Sequence, residues 1–284
     1  MRITETAIPG LLIIDLDVHG DNRGWFKENW QREKFTGLAP ELASFQPVQN
    51  NISFNHAGAT RGLHAEPWDK LVSVAQGKIF GAWCDLREGS DSFGEVVTHE
   101  VGPETAVFVP RGVANGFQAL EETSYCYLVN EHWSAEARYA AVNLNIVDWP
   151  LEPTEISEKD KQHPALKDVS PMPARRILVT GANGQLGRAL KRLLADAELC
   201  THADFDITDP PERNWKQYSA IINCAAYNDV NGAENDRAAA WAVNAEAPAR
   251  LARIAAENQL TLVHVSSDYI FDGASEVLSL IHIS

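Results

Sequence analysis

Apolar positions in the first half of the chain come in short runs broken by Gly, Pro, Asn and Asp. Residues 11–16, 25–28, 71–74, 79–83, 105–110 and 124–129 have the length and composition of strands. Between them, 18–24, 75–78 and 89–94 carry turn residues, and 111–117 reads as a tight return. Residues 33–45 break the pattern and are expected to hold a short helix. Many short strands with regular turns predict an all-β sandwich or jelly roll, a fold that holds a ligand in its mouth.

The pattern changes after Trp149-Pro150. Residues 151–174 are charged and contain Pro164, Pro171 and Pro173. They read as a linker or a surface-hugging tail between a first domain, 1–150, and a second, 175–277. In the second domain, residues 176–180 form a buried strand, and Leu186, Leu190, Leu193 and Leu194 mark one helix face. Between them lies Gly181-Ala-Asn-Gly184-Gln-Leu-Gly187. Residues 220–226 and 261–265 are further strands, and 238–256 is an Ala-rich helix that Pro248 kinks or splits. This alternation predicts an α/β domain with a parallel, doubly wound sheet. A strand, a glycine loop and a helix in immediate succession predict dinucleotide binding, because glycines let the backbone approach and the helix start receives the pyrophosphate. Asp204, Asp206 and Asp209 follow a second strand, where a ribose or adenine contact is expected. Asn223, Ala225, Ser266 and Ser267 stand at strand ends facing the expected crevice, with helix capping as the competing role of the serines.

A length of 284 residues suits two domains. The net charge of −15 excludes a nonspecific nucleic-acid or anionic-membrane binder, but not a nucleotide ligand in a local basic pocket. The N-terminus has no basic head before an apolar core, and no apolar run spans a bilayer, so the cytoplasm is the expected address. Cys84, Cys126, Cys200 and Cys224 lie in or beside apolar runs with no Cys-x-x-Cys pair. Buried reduced thiols are expected, and no structural metal site.

Candidate chemistry sits in Arg61-Gly-Leu-His64-Ala-Glu-Pro-Trp-Asp-Lys70. An imidazole with an ordinary pKa of ~6.5 takes up a proton near neutral pH. A nearby ammonium group stabilises the negative charge such a removal creates. The alternative is a surface His and a surface Lys beside a hairpin. Gln49, Asn50, Asn51 and Ser53 either line a polar pocket or solvate a loop.

Residues 8–150 resemble the dTDP-4-dehydrorhamnose 3,5-epimerase family. The resemblance is carried by Asp21-Asn-Arg-Gly-Trp-Phe-Lys-Glu28, Gln49-Asn-Asn-Ile-Ser53, Arg61-Gly-Leu-His64, Lys70-Leu-Val72, Asp85-Leu-Arg87, Ser92-Phe-Gly94 and the segment 110–117, in this order. It implies a cupin-like jelly roll, a homodimer through that domain, and a dTDP-sugar substrate. It also implies that His64 is the base beside the sugar's 4-ketone and that Lys70 stabilises the enolate. Arg23, Glu28, Asn51, Arg61, Asn115 and His132 would hold the nucleotide sugar. Residues 175–273 resemble dTDP-4-dehydrorhamnose reductase, an extended short-chain dehydrogenase, through the glycine loop, Asn223-Cys-Ala-Ala-Tyr227, Val243-Asn-Ala245 and Ser266-Ser-Asp-Tyr-Ile-Phe-Asp-Gly273. That resemblance implies NADPH or NADH held by Gly181, Asn183, Gly184, Gln185, Leu186, Gly187, Asp206, Ala225, Ala226 and Tyr227, with Ser267 as the catalytic hydroxyl. Arg188 suits a 2′-phosphate, whereas Asp204 or Asp206 suits a ribose hydroxyl.

Two departures from the first family shape the expectation. No Tyr stands near Glu131-His132-Trp133, where the family has its acid. The Asp that backs the catalytic His has no counterpart in Val142-Asn-Leu-Asn-Ile-Val147, so His64 is expected to lack a carboxylate partner. The competing expectation is therefore a non-catalytic nucleotide-sugar-binding module fused to a reductase. In the second family a Tyr-x-x-x-Lys pair lies further along than residue 273, and Tyr269 has no Lys after it. Residues 278–284 do not continue the family pattern and are read as a non-native tail on a truncated reductase unable to reduce its substrate.

Overall fold

The computed structural model describes residues 1–135 and 137–266, in two units, Met1–Ala174 and Arg175–Ser284. In the first unit the strands are β1 (Arg2–Glu5), β2 (Leu12–Asp15), β3 (Val18–Asp21), β4 (Gly24–Lys27), β5 (Gln49–Asn55), β6 (Thr60–Ala65) and β7 (Lys70–Gln76). They continue as β8 (Ile79–Asp85), β9 (Val96–Val101), β10 (Thr105–Val109), β11 (Val113–Ala119), β12 (Thr123–Val129) and β13 (Ala140–Ala141). Two antiparallel sheets result, ordered β1-β2-β10-β7-β12-β5 and β13-β6-β11-β8-β9, with β3 and β4 as a separate hairpin. This is the jelly roll expected from the strand pattern.

The two inner faces share a core of Val72, Val74, Ile79, Trp83, Val107, Phe117 and Tyr125. Strands β7, β8, β10 and β11 are buried along almost their whole length. Their outer faces are covered as well, so they read as continuous apolar runs rather than alternating ones. Over the six-stranded sheet lie two one-turn helices, Arg32–Thr36 and Pro40–Ser44, where a single helix was expected. Phe35, Leu42 and Phe45 from this region pack on Leu12, Ile14, Leu71 and Phe108. The expected tight return at 111–117 is a turn only up to Gly112, after which β11 runs to Ala119.

Residues 151–174 are not a free linker. Ile156, Leu166, Val169 and Met172 pack on the outer face of the five-stranded sheet against Leu63, Cys84 and Ala114. The Met172 amide donates to Leu86 O at 2.7 Å, and the Glu88 amide donates to Met172 O at 2.8 Å. The segment hugs the barrel and belongs to its unit, which ends at Ala174 rather than at 150. Its charges, apart from the buried Asp160, face outward between apolar anchors spaced too irregularly to show a period.

The second unit carries β14 (Arg176–Thr180), β15 (Glu198–Cys200), β16 (Tyr218–Asn223) and β17 (Thr261–His264), all parallel and ordered β15-β14-β16-β17. This is the start of a doubly wound sheet. Leu178, Ile221, Phe205, Tyr218 and Leu251 form its core. The Ala-rich segment stays helical throughout, as Arg237–Trp241, a π-helical stretch Ala242–Glu246 and the helix Ala247–Glu257, whose first turn accommodates Pro248. After the glycine loop the helix covers only Gln185–Leu190, and Leu186 and Leu193 are exposed rather than on a buried face. The buried residue of that helix is Gly187. All four cysteines are free; Cys84, Cys126 and Cys200 are buried and Cys224 is half-buried.

Candidate active site

Strands β6 and β7 carry His64 and Lys70 to one cavity of about 640 Å³. The barrel supplies its walls through Asn51, Arg61, Asn115, Tyr125 and Tyr127. A second hollow of about 560 Å³ shares His64, Asn51, Glu66 and Tyr127 with the first, and adds Trp68, Trp133 and Tyr139. His64 therefore stands where two hollows meet. Its side chain is 36% exposed, enough for a ligand to reach it.

His64 has a carboxylate partner. Its Nε2 lies 2.8 Å from Asp160 Oδ1, and the Gly62 amide donates to Asp160 Oδ2 at 3.1 Å. The expected absence of a partner is overturned, because the carboxylate arrives from the 151–174 segment, 96 residues away in sequence. Burial pushes the Asp160 carboxyl up, but the hydrogen bonds from His64, Gly62 and Ser157 outweigh it and hold the group below its ordinary range. An ionised carboxylate only accepts, so His64 Nε2 carries the proton and donates it. In the neutral imidazole Nδ1 is then the nitrogen with the free lone pair.

A local sequence signal accompanies Asp160. Ser157 caps the short helix Glu158–Lys161 by accepting from the Asp160 amide at 3.1 Å. That cap fixes the turn from which Asp160 and His163, at i and i+3, share a face. The charges of the segment hid this signal.

Lys70 is 6% exposed and its Nζ forms an ion pair with Glu66. The same Nζ sits 5.1 Å over the Tyr127 ring. Burial, with Glu66 nearby, raises the Tyr127 phenol, so it stays protonated at neutral pH. Glu66 and Tyr127 were not singled out from the sequence, although both flank the His64 and Lys70 strands.

The remaining candidates divide. Asn51 lines both hollows and Arg61 lines the first, with Arg61 Nε donating to Asn55 Oδ1 at 2.8 Å. Asn115 lines the first, though its amide is engaged: Oδ1 accepts from Trp83 Nε1 at 2.9 Å and Nδ2 donates to Tyr125 Oη at 3.1 Å. Arg23, Glu28 and His132 are not brought to His64. All three are exposed; Arg23 pairs with Asp21 and Glu28 with Lys34. Asp85 is fully buried. Burial would raise its pKa, but hydrogen bonds from Arg87, Ser92 and Ser90 bring it down to about 2, a structural anchor for the 85–94 turn.

In the second unit the loop after β14 has the shape the glycine spacing implies. Gly181 has φ +68°, and a Cβ there would meet the Ala225 amide at 2.6 Å. A Cβ on Gly187 would meet Gly181 O at 2.5 Å, so both glycines allow close strand–loop–helix packing. Asn183, Gly184, Gln185 and Leu186 are exposed at the helix start. Ala225, Ala226 and Tyr227 follow β16, where the Tyr227 amide donates to Asn244 Oδ1 at 2.8 Å and Asn244 Nδ2 returns to Tyr227 O at 3.0 Å. Asp206 Oδ1 accepts from the Thr208 amide and hydroxyl at 2.8 and 2.7 Å. Ser267 and residues 278–284 lie outside the described residues.

A His–Asp pair with a buried carboxylate and a lysine open on one cavity, and the jelly roll that holds them places the first unit among the cupin-like barrels. The chain belongs to the dTDP-4-dehydrorhamnose 3,5-epimerase family, whose model matches residues 5–168. The model of the RmlD substrate binding domain matches residues 175–278. An RmlC homologue of Streptococcus pyogenes is 52% identical over 58% of this chain and 89% of its own length. The dTDP-4-dehydrorhamnose 3,5-epimerase of Pseudomonas aeruginosa is 34% identical over 61% of this chain and all of its own. RmlC of Streptococcus suis, solved in complex with dTDP-D-xylose, superposes with a TM-score of 0.57 at 48% identity, covering 61% of this chain and 94% of that one. The second half is 47% identical to a dTDP-4-dehydrorhamnose reductase of Mycobacterium tuberculosis over 35% of each chain, so it spans about a third of that relative. Among the described residues, no helix is long and apolar enough to cross a membrane.

Proposed function

We propose that the barrel unit inverts C3 and C5 of a dTDP-4-keto-6-deoxy sugar, and that the second unit belongs to the reductase that consumes the product. The observation that carries the first part is the 2.8 Å His64–Asp160 pair facing the cavity that Lys70 also lines. In this reading His64 Nδ1 removes the proton next to the 4-ketone, and Asp160 stabilises the imidazolium that forms. Lys70 stabilises the enolate oxygen. Asn51, Arg61 and Asn115 line the substrate's place. Inversion needs a proton returned to the opposite face, and the protonated phenol of Tyr127 takes that role here in place of a Tyr at 131–133. A homodimer through the barrel is part of the proposal; the exposed Trp25 and Phe26 on the β3–β4 hairpin support it. The cytoplasm is its proposed compartment.

Solvent deuterium exchange tests this reading. An epimerase places deuterium at C3 and C5 of the 4-keto sugar nucleotide in heavy water, whereas a binding module places none. The exposed positions of His132 and Trp133 favour the binding module as second reading, since neither offers a buried acid. The Asp160 carboxylate behind His64 favours the enzyme.

Lys70→Met is expected to slow exchange by about 10²–10³-fold, the usual cost of removing a group that stabilises an oxyanion. Because it also strips Glu66 of its partner, the double variant Lys70→Met/Glu66→Gln serves as control. If the double variant keeps the wild-type melting temperature and the wild-type rate, the role of Lys70 is wrong.

For the second unit, the glycine loop fits NADPH or NADH, because Gly181 and Gly187 leave no room for a Cβ and the helix start between them is exposed. Such a cofactor supplies hydride to the 4-ketone. Gly181, Asn183, Gly184, Gln185, Leu186 and Gly187 would hold its pyrophosphate, with Asp206 at the ribose and Ala225, Ala226 and Tyr227 along the crevice. Ser267 remains the proposed catalytic hydroxyl. Gly184→Val tests the site, with a melting temperature as control because a Cβ there stands 3.2 Å from Gly181 O. Its expected effect is a loss of NADPH affinity of tenfold or more, about 1.4 kcal/mol, by calorimetry. Undiminished affinity would refute the loop as the binding site.

A further inference from the structure

His163 is the buried group that the reading above leaves without work. Its side chain is 7% exposed, and neither ring nitrogen makes a hydrogen bond of full geometry, although the Gly62 backbone and Asp160 lie near enough to pull its pKa upward. A buried imidazole with both nitrogens unpaired carries a desolvation cost that a ligand would remove. Its Nε2 lies 3.8 Å from Asp160 Oδ1, and its ring stands edge-on to that of His64 with centroids 5.0 Å apart. Burial and the neighbouring His64 push its pKa below the ordinary value, against the opposing pull of Asp160 and the Gly62 backbone. One ligand atom each from His64, Asp160 and His163 lies within 4.8 Å of the other two. The cluster also has access: His64 and His163 line the second hollow, and His64 and Asp160 line the first.

From these observations we infer that His64, Asp160 and His163 form a reversible binding site for a zinc-class divalent cation, and that the bound cation switches the barrel off. Two imidazoles and one carboxylate suit zinc, with an open fourth position toward the cavity. The step balances without any co-reactant. The cation takes the lone pair of His64 Nε2, and the proton that nitrogen carried moves to Nδ1. Nδ1 is the nitrogen that must accept the substrate's proton, so the metal-bound imidazole has no base left to offer. Asp160 exchanges its hydrogen bond with His64 for the metal, and His163 gains the partner it lacks. Transient zinc is thus read as a stop signal for a sugar-nucleotide supply step, reversed by chelation. The inhibition rests on the epimerase reading; the binding does not.

The test uses the full chain without a histidine tag. ZnCl₂ is titrated against a chromophoric chelator in the absence of substrate, and CoCl₂ binding is followed by visible absorption. The expected result is one metal per chain with a tetrahedral cobalt spectrum. His163→Asn should weaken binding by about 10²-fold, at least the loss seen when a supporting group of a metal site is removed. Exchange into the 4-keto sugar nucleotide should stop at one zinc per chain and return with EDTA, and in His163→Asn it should persist at that zinc level. If His163→Asn does not fold, histidine ring NMR of the wild type decides, with zinc expected to shift the rings of His64 and His163 together. Zinc affinity unchanged in His163→Asn, or ring resonances of His64 and His163 unmoved by zinc, would overturn the site. Zinc bound at the site with exchange undiminished would overturn the switch and leave the epimerase reading intact.

Discussion

His64→Ala is expected to lower deuterium incorporation at C3 and C5 by about 10⁴-fold, the upper end of what a positioned base contributes. Proton removal next to a ketone needs an acceptor within hydrogen-bond reach of the C–H, with a proton affinity matched to the working pH. Lys70, Tyr125, Tyr127 and Asp160, which also line the cavity, fail on one count or the other. Lys70 is an ammonium tied to Glu66, and Tyr127 and Tyr125 are phenols raised by burial, which hold their protons. Asp160 sits behind His64 with both oxygens engaged by His64 and Gly62. The side chain of His64 is 36% exposed, so its truncation removes little packing. A wild-type melting temperature and retained dTDP binding should accompany the lost exchange, and added imidazole should restore part of it. Exchange within tenfold of wild type would move the base elsewhere.

Much of this architecture was legible because local pattern and tertiary demand agree. The runs at 71–74 and 124–129 became central strands, and the glycine loop after 176–180 became the strand–loop–helix turn its spacing implies. His64 and Lys70 were legible as a pair through the family resemblance, whereas strand β6, which carries His64, was not among the expected strands. What stayed hidden depends on long-range closure. Asp160 reaches His64 across 96 residues, from a stretch whose charges and prolines look like solvent-exposed chain. Its apolar anchors on the sheet are Ile156, Leu166, Val169 and Met172, whose spacing follows neither a strand nor a helix period. Leu186 erred in the opposite direction. Its helical spacing marked it as core, yet the helix turns buried Gly187 to the strand because the loop must approach the backbone of Gly181 and Ala182 closely. Arg23, Glu28 and His132 were grouped by sequence motif, and their own chain's fold does not bring them to the cavity.

Asp160→Asn should slow exchange nearly as much as loss of His64 itself, by about 10³–10⁴-fold, in line with the Asp-to-Asn change in a serine-protease triad. The reason lies in which groups each oxygen serves. Oδ1 accepts from His64 Nε2 at 2.8 Å and Oδ2 accepts from the Gly62 amide at 3.1 Å. A carboxylate satisfies both donors; a carboxamide has only one oxygen. With that oxygen toward Gly62, the NH₂ faces His64 Nε2 and can pair only with a lone pair there. The His64 proton then sits on Nδ1, and the base is in the wrong tautomer. With the oxygen toward His64, the NH₂ opposes the Gly62 N–H, two donors meet in a buried site, and β6 loses the anchor of its strand. The first arrangement keeps every hydrogen bond, so it is the one expected. Asp160→Asn should therefore fold, bind dTDP and fail to exchange, and ¹⁵N spectra should show the His64 proton moved from Nε2 to Nδ1. A variant that keeps the Nε2–H tautomer while losing exchange, or that keeps exchange outright, would show that Asp160 does not orient the base.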